Sequence, residues 1–165
     1  SPHRSPRPDW AEIDLVVIHC ISLPEGEYGT NAPSDLFLGT LDCAAHPSFA
    51  ELAGVEVSSH LLIHRNGQIQ QFVSFDEQAW HAGASRWCGR NGCNPFSIGI
   101  ELEGCVSEAY ADVQLAALAD VLRSLLAHYP GLSVNQIVGH QDIAPDRKGD
   151  PGPYFDWAKL FAALR

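Results

Sequence analysis

The chain has 165 residues, of which 45% are apolar, a size and composition that fit one folded domain and argue against a disordered or fibrous protein. Ten Lys and Arg against 20 Asp and Glu give a net charge of −10, which argues against nonspecific nucleic-acid binding and against adhesion to anionic membranes. No apolar run approaches the roughly 18 residues of a membrane span, so no membrane partner is expected.

The five cysteines bear on the compartment. Their number is odd and no two form a CxxC pair, which suits a reducing compartment better than a disulfide framework. The first residues hold no apolar stretch of the signal-peptide type. We therefore expect a cytoplasmic protein.

Strand, helix and hairpin signals follow one another in the first half of the chain. Residues 1–10 are rich in Pro and Arg and are predicted to be irregular. The apolar, β-branched run at residues 13–19 predicts a buried strand, and a short helix is predicted near residues 34–38. Residues 58–73 predict a hairpin, because Asn66-Gly67 is a strong turn signal between two apolar runs.

The second half begins with a long loop at residues 75–95, and loops of this length inside a domain tend to be functional. Residues 97–103 alternate apolar and polar side chains, which predicts a strand. Apolar residues spaced by three and four predict a helix over residues 112–129, which Pro130-Gly131 ends.

A strand at residues 136–140 and a helix at residues 155–164 complete the pattern. Strands and helices are mixed without a repeat or a linker. We therefore predict an α/β (mixed α+β) fold, a single domain over residues 1–165 in which helices flank a central mixed sheet.

The loop at residues 139–152 concentrates chemistry-bearing side chains, with His140, Lys148 and Asp150 in one Gly- and Pro-constrained stretch. His19, at the end of the first predicted strand, is a candidate third ligand. Two histidines and one carboxylate form a zinc set of the catalytic type, which leaves a coordination position open. Taken singly, each histidine is more often structural than a ligand, so this pairing stays a hypothesis on spacing alone.

Glu101 is a carboxylate flanked by Ile100 and Leu102 in a strand interior. Burial would raise its pKa, which suits a general base beside a metal. A solvent-facing position or a structural salt bridge is an equal alternative. Glu103 lies on the same face and competes for the role.

Lys148 and Asp142 are further candidates in the late loop. A lysine beside a metal ligand can stabilise negative charge that develops on a carbonyl oxygen, although a lone lysine is usually just solvated. Asp142 follows His140 by two residues and is a candidate for orienting an imidazole. A role in the loop turn is equally consistent with its position.

Three residues are candidates for lining a substrate groove. His60 shares one face of its predicted strand with His64, which is compatible with lining a groove. Trp80 and His81 lie in the long loop, where an aromatic ring could stack on a sugar. Aromatic residues in a loop more often cover a core, and only the length of this loop favours the groove.

Several motifs together resemble the AmpD-type N-acetylmuramoyl-L-alanine amidases, from about residue 15 to 157. They are ISLPEGEYG, HPSFAE, VSSHLLI, WHAG, SIGIELEG and GHQDIAPDRKGDPGP. The resemblance implies a mixed sheet flanked by helices and one Zn²⁺ bound by His19, His140 and Asp150. It also implies that Glu101 is the catalytic acid and base and that Lys148 stabilises the oxyanion.

The same resemblance implies the reaction and its setting. The substrate would be an anhydro-N-acetylmuramyl peptide, cut at the amide between the lactyl group and L-alanine. The setting would be peptidoglycan recycling in the bacterial cytoplasm, and we expect a monomer. Two alternatives remain, a muropeptide-binding module without catalysis and a zinc amidase for another acyl-peptide.

Three positions depart from the family pattern. Cys20 stands where the family generally has Asn, and Glu56 and Gly92 stand where arginines that hold peptide carboxylates are expected. Arg86 and Arg90 in the long loop are candidates to replace them. We therefore predict intact zinc chemistry with an altered stem-peptide preference.

Overall fold

A five-stranded mixed sheet forms the centre of the protein in a computed structural model that describes residues 1–165. The strands are β1 Arg4–Pro6, β2 Leu15–Ile21, β3 Leu61–Ile63, β4 Ile69–Gln71, β5 Glu77–Ala79, β6 Arg86–Trp87, β7 Arg90–Asn91, β8 Ser97–Glu103 and β9 Ile137–Gly139. The helices are α1 Ala32–Leu38, α2 Asp112–His128, α3 His140–Ile143 and α4 Trp157–Ala163. None of the helices combines the length and apolar content that a membrane crossing needs.

The strand order of the central sheet is β4-β3-β8-β2-β9, and β2 pairs in parallel with β8 on one side and with β9 on the other. Strand β3 is parallel to β8, whereas β4 returns antiparallel through the turn at Asn66-Gly67. This confirms the predicted hairpin and the predicted mixed sheet with helices.

The two faces of the sheet differ in what covers them. Ile18, Ile100 and Leu102 pack with α2 and α4 in the larger apolar core. Leu15 and Val17 face the other way and belong to a smaller apolar cluster with Ala82 and Cys93 of the long loop. Because side chains alternate along a strand, His19 and Glu101 both lie on this second face. They are register neighbours across β2 and β8, so the sheet sets two polar groups side by side.

The prediction of an irregular N-terminal segment was wrong for Arg4–Pro6, which pairs with β5. Arg7 fixes this arm, because its guanidinium donates to the carbonyls of Phe75, Asn94, Pro95 and Ser97. A pattern of Pro and Arg does not reveal such long-range contacts. The predicted loop at residues 75–95 likewise holds three short strands.

Candidate metal centre and active site

Three side chains from distant parts of the chain converge at one edge of the sheet. His19 lies within β2, which extends two residues further than predicted, His140 begins α3, and Asp150 lies in the following loop. The two Nδ1 atoms are 2.9 Å apart, and each lies 3.2 Å from Asp150 Oδ2. One ligand atom from each residue can therefore reach a common point, as a metal site requires.

The protonation of these groups favours a cation between them. The Nε2–H of His140 donates to the carbonyl of Ala82 at 3.1 Å, and a carbonyl can only accept, so Nδ1 carries a lone pair. Burial lowers the pKa of His19 to about 4, which keeps this imidazole neutral at pH 7. Burial alone would raise the pKa of Asp150, but contacts with the two histidines outweigh it and hold this pKa well below its usual range. Converging lone pairs repel one another, and a bound metal ion relieves that repulsion.

Glu101 is the unsatisfied group beside this centre. Its Oε2 is buried and has no hydrogen-bond partner. Burial raises the pKa of Glu101 well above its usual value, the charge of Asp150 acts in the same direction, and Lys148 opposes them. A carboxyl group with a raised pKa, free of structural partners, is suited to accept and return a proton.

Glu103, the competing carboxylate, has a structural role instead. It is buried, and its two oxygens accept the backbone N–H groups of Gly29 and Arg65. Its hydrogen-bonding capacity is used to hold two loops against β8, so the two glutamates of this strand differ in function.

A groove of about 620 Å³ opens over the centre. Besides the three converging side chains, Glu101 and Lys148 line it, as do Glu25 and Glu51 further along. Lys148 is exposed and makes no ion pair in the structure, so its ammonium group is available to a bound molecule.

Most of the residues predicted to bind substrate lie elsewhere. The ring of His60 is fully buried and bonded to the backbone of Gly99 and Glu77. Trp80 donates to Ser5 Oγ and stacks on His3, so its ring packs against the N-terminal arm. These two predictions were wrong, because the rings serve as packing and not as groove walls.

The structure places the two candidate arginines outside the groove. Arg90 pairs with Asp14 and lies over the ring of Phe96, and Arg86 borders a separate cavity. Neither lines the groove, and neither does Glu56 or Gly92. Lys148 is therefore the groove's single Lys or Arg side chain.

Asp142 does not orient an imidazole. Its Oδ2 accepts the N–H of Gly139 at 2.7 Å, so it caps the start of α3, and the prediction was wrong. The Nε2 of His140 bonds to the Ala82 carbonyl instead. Asp142 is the third residue of α3, so its carboxylate lies close to the backbone N–H of Gly139. This local hydrogen bond takes the place of a bond to an imidazole.

His81 lines the groove, but its ring is buried and its Nδ1 lies 2.9 Å from Nε2 of His19. Ser97 and Gly99 also lie against this ring, and sequence reasoning missed both. The available signal was their spacing, since Ser97, Gly99 and Glu101 alternate along one strand face.

Comparison with known proteins gives a consistent result. The profile of the N-acetylmuramoyl-L-alanine amidase family matches residues 9–153. The 1,6-anhydro-N-acetylmuramyl-L-alanine amidase AmpD of Escherichia coli is 55% identical over 160 residues, which are 97% of this chain and 87% of the relative. The enzyme of the same name from Salmonella typhimurium is 54% identical over 164 residues, 99% of this chain and 87% of the relative.

Solved structures agree in fold. The crystal structure of a selenomethionine AmpD derivative superposes with a TM-score of 0.97 at 52% identity and covers 100% of this chain and 92% of that one. The amidase AmiD of Escherichia coli, solved with the substrate anhydro-N-acetylmuramic acid-L-Ala-D-gamma-Glu-L-Lys, gives a TM-score of 0.67 at 32% identity. This match covers 95% of this chain and 60% of that one.

Proposed function

This chain belongs to the N-acetylmuramoyl-L-alanine amidase family, and we propose that it hydrolyses 1,6-anhydro-N-acetylmuramyl peptides at the amide between the lactyl group and L-alanine. One observation carries the proposal at the level of residues. The buried, unpartnered oxygen of Glu101 lies in the same groove as three converging metal-ligand atoms. A binding module would not need that costly arrangement, because an unsatisfied buried carboxyl group lowers stability.

We assign one zinc ion to His19, His140 and Asp150, since two imidazoles and one carboxylate form a catalytic donor set. When bound, zinc polarises a substrate carbonyl and makes water a stronger nucleophile. The site residues then have defined tasks: the three ligands fix the geometry of the centre, while Glu101 and Lys148 handle protons and charge.

Glu101 moves the proton in this proposal. Its carboxylate takes a proton from the attacking water as the water oxygen bonds to the lactyl carbonyl carbon. The resulting carboxylic acid returns that proton to the alanine nitrogen as the C–N bond breaks. The products are a free lactyl carboxylate and a peptide with a new amino terminus. The raised pKa of Glu101 supports both halves of this cycle.

Lys148 stabilises charge on the carbonyl oxygen. Its ammonium group lines the same groove and has no competing ion pair. A positive group aimed at the oxyanion stabilises the transition state more than the ground state, where the oxygen carries less charge.

The proposed setting is peptidoglycan recycling in the bacterial cytoplasm, with residues 1–165 acting as one monomeric amidase domain. The bacterial AmpD relatives and the five free cysteines support this setting. The net charge of −10 supports a small-molecule partner rather than nucleic acid.

The decisive experiment digests purified anhydro-muropeptide with the protein as prepared, with a chelator, and with the chelator followed by zinc. Mass spectrometry is expected to find anhydro-N-acetylmuramic acid and the intact stem peptide, to lose both with the chelator and to regain them with zinc. Binding of the muropeptide without cleavage by the zinc-loaded protein would identify a binding module. Cleavage at another bond would identify an amidase for a different acyl-peptide.

A further inference from the structure

A buried chain of hydrogen bonds leads away from the metal centre. It starts at Nε2 of His19, which lies 2.9 Å from Nδ1 of His81. The other nitrogen of His81, Nε2, lies 3.0 Å from Oγ of Ser97. That hydroxyl in turn lies 2.7 Å from the carbonyl oxygen of Cys93. The three side chains are buried, so water does not compete for these bonds.

The carbonyl at the far end gives the chain a direction. A carbonyl oxygen carries no proton, so the Ser97 hydroxyl must donate to Cys93 and accept from His81. His81 therefore carries its proton on Nε2 and offers a lone pair at Nδ1. His19 must then donate from Nε2, which leaves its Nδ1 without a proton. Nδ1 is the atom that faces His140 and Asp150.

The ring of His81 packs closely against the backbone of Gly99. A Cβ added at Gly99 would lie 2.4 Å from Cγ of His81, closer than real Cβ contacts. The side-chain oxygen of Asn94 accepts the backbone N–H groups of His81 and Ala82. The Ala82 carbonyl then receives Nε2–H of His140. The dipeptide His81-Ala82 thus contacts both ligand imidazoles. The ring of His81 contacts His19, and the carbonyl of Ala82 accepts from His140.

We propose that Ser97 and His81 are positioning residues whose hydrogen-bond relay fixes His19 as its Nε2–H tautomer and directs the Nδ1 lone pair to the metal. This inference rests on the proposed function, because it concerns the metal that the function requires. A ligand histidine usually needs a partner for its second nitrogen, and the loss of such a partner typically weakens metal binding about 10- to 100-fold.

The matched variants are Ser97→Thr and Ser97→Val, which have nearly the same shape and differ in the hydroxyl group. Zinc affinity is measured by competition with a chromogenic chelator, and the visible spectrum of the Co²⁺-substituted protein reports ligand geometry. We expect Ser97→Val to bind zinc about 10- to 100-fold more weakly than Ser97→Thr and to shift the Co²⁺ bands. Equal affinities and identical spectra in the two variants would overturn the relay, even if Ser97→Val unfolds more easily.

A measurement on the unmodified protein covers the case in which the variants do not fold. Nitrogen-15 NMR of histidine-labelled, zinc-loaded protein distinguishes the tautomers, and His81 is expected with its proton on Nε2. A proton on Nδ1 of His81 would reverse the relay and overturn the proposal. The proposed function fails in a different way, if the unmodified protein binds no zinc or cleaves no muropeptide with zinc bound.

Discussion

The ring of His81 rests on the backbone of Gly99, where the Cβ of any larger residue would lie within 2.4 Å of the imidazole. Because both groups are buried, neither can move aside without shifting β8 or the segment around residue 81. We predict that Gly99→Ala lowers the free energy of unfolding by about 1–3 kcal/mol, the usual cost of overpacking a core. We also predict weaker zinc binding, because the partner of His19 is displaced. Chemical denaturation and chelator competition measure the two effects.

Gly149→Ala is the matched control for this stability effect. An added Cβ at Gly149 meets no atom within 4 Å, and its φ does not require glycine. We expect its free energy of unfolding to stay within about 0.5 kcal/mol of the unmodified protein. A Gly99→Ala variant as stable as this control would mean that the ring of His81 packs less closely against Gly99 than the structure indicates.

Replacement of Glu101 separates proton transfer from metal binding. Glu101→Gln keeps the shape of the side chain but removes its ability to take a proton. We predict a loss of about 10²- to 10⁴-fold in kcat, with zinc affinity nearly unchanged, because Glu101 is not one of the three ligands. Steady-state kinetics on anhydro-muropeptide and zinc titration provide the check. Retained turnover would remove Glu101 from the mechanism.

Glu103→Gln is the control on the same strand face. Glu103 accepts two backbone N–H groups, so the variant should lose about 1–3 kcal/mol of stability while kcat stays within a few-fold. The contrast between the two variants tests whether the two glutamates of one strand divide into a catalytic and a structural role.

The sheet and its polar face could be predicted because they follow from short-range patterns. Alternation in residues 97–103 placed Glu101 opposite the core, and the apolar run ending at His19 indicated a buried strand. The parallel register that sets these two residues side by side depends on how strands pair, which no local pattern contains. The family resemblance, not the spacing, linked His19 to the late loop.

Part of the groove prediction failed for the same reason. His60 and Trp80 have a residue type that suits a sugar-binding wall, but long-range contacts place His60 in the core and Trp80 against the N-terminal arm. Ser97 and Gly99 were missed because small residues in a strand carry no chemical signal of their own. Their importance appears only when the ring of His81 is seen against them.

Asp142 and Asp150, two of the three aspartates in residues 139–152, should respond differently to loss of charge. Asp150→Asn removes the carboxylate that both ligand imidazoles face, so we predict no measurable turnover. The loss of zinc affinity should exceed the roughly 10- to 100-fold that follows loss of a residue that only orients a ligand. Asp142→Asn affects a helix cap, because Oδ2 of Asp142 accepts the N–H of Gly139. This variant should lose no more than about 2 kcal/mol of stability and keep its zinc. Comparable zinc loss in both variants would contradict the assignment of Asp150 as the ligand.

Acid should destabilise the fold through His60, away from the metal ligands. Burial lowers the pKa of His60 to about 4 from its ordinary 6.5, and the charge of Arg7 acts in the same direction. Between these pH values the unfolded chain binds a proton at this site and the folded protein does not, so stability falls as pH falls. Above pH 6.5 this site does not lower the free energy of unfolding. By pH 4 it has lowered that free energy by about 3 kcal/mol.

His60→Asn isolates this effect. The asparagine oxygen can accept the N–H of Gly99, as Nδ1 of His60 does at 3.0 Å, but it does not titrate. The variant is expected to be less stable at pH 7, because the bond from the ring to the Glu77 carbonyl is lost, and to show a shallower decline between pH 6.5 and 4. Urea denaturation of both proteins in excess chelator gives the two profiles without a contribution from metal release. Parallel profiles would show that His60 does not cause the acid sensitivity.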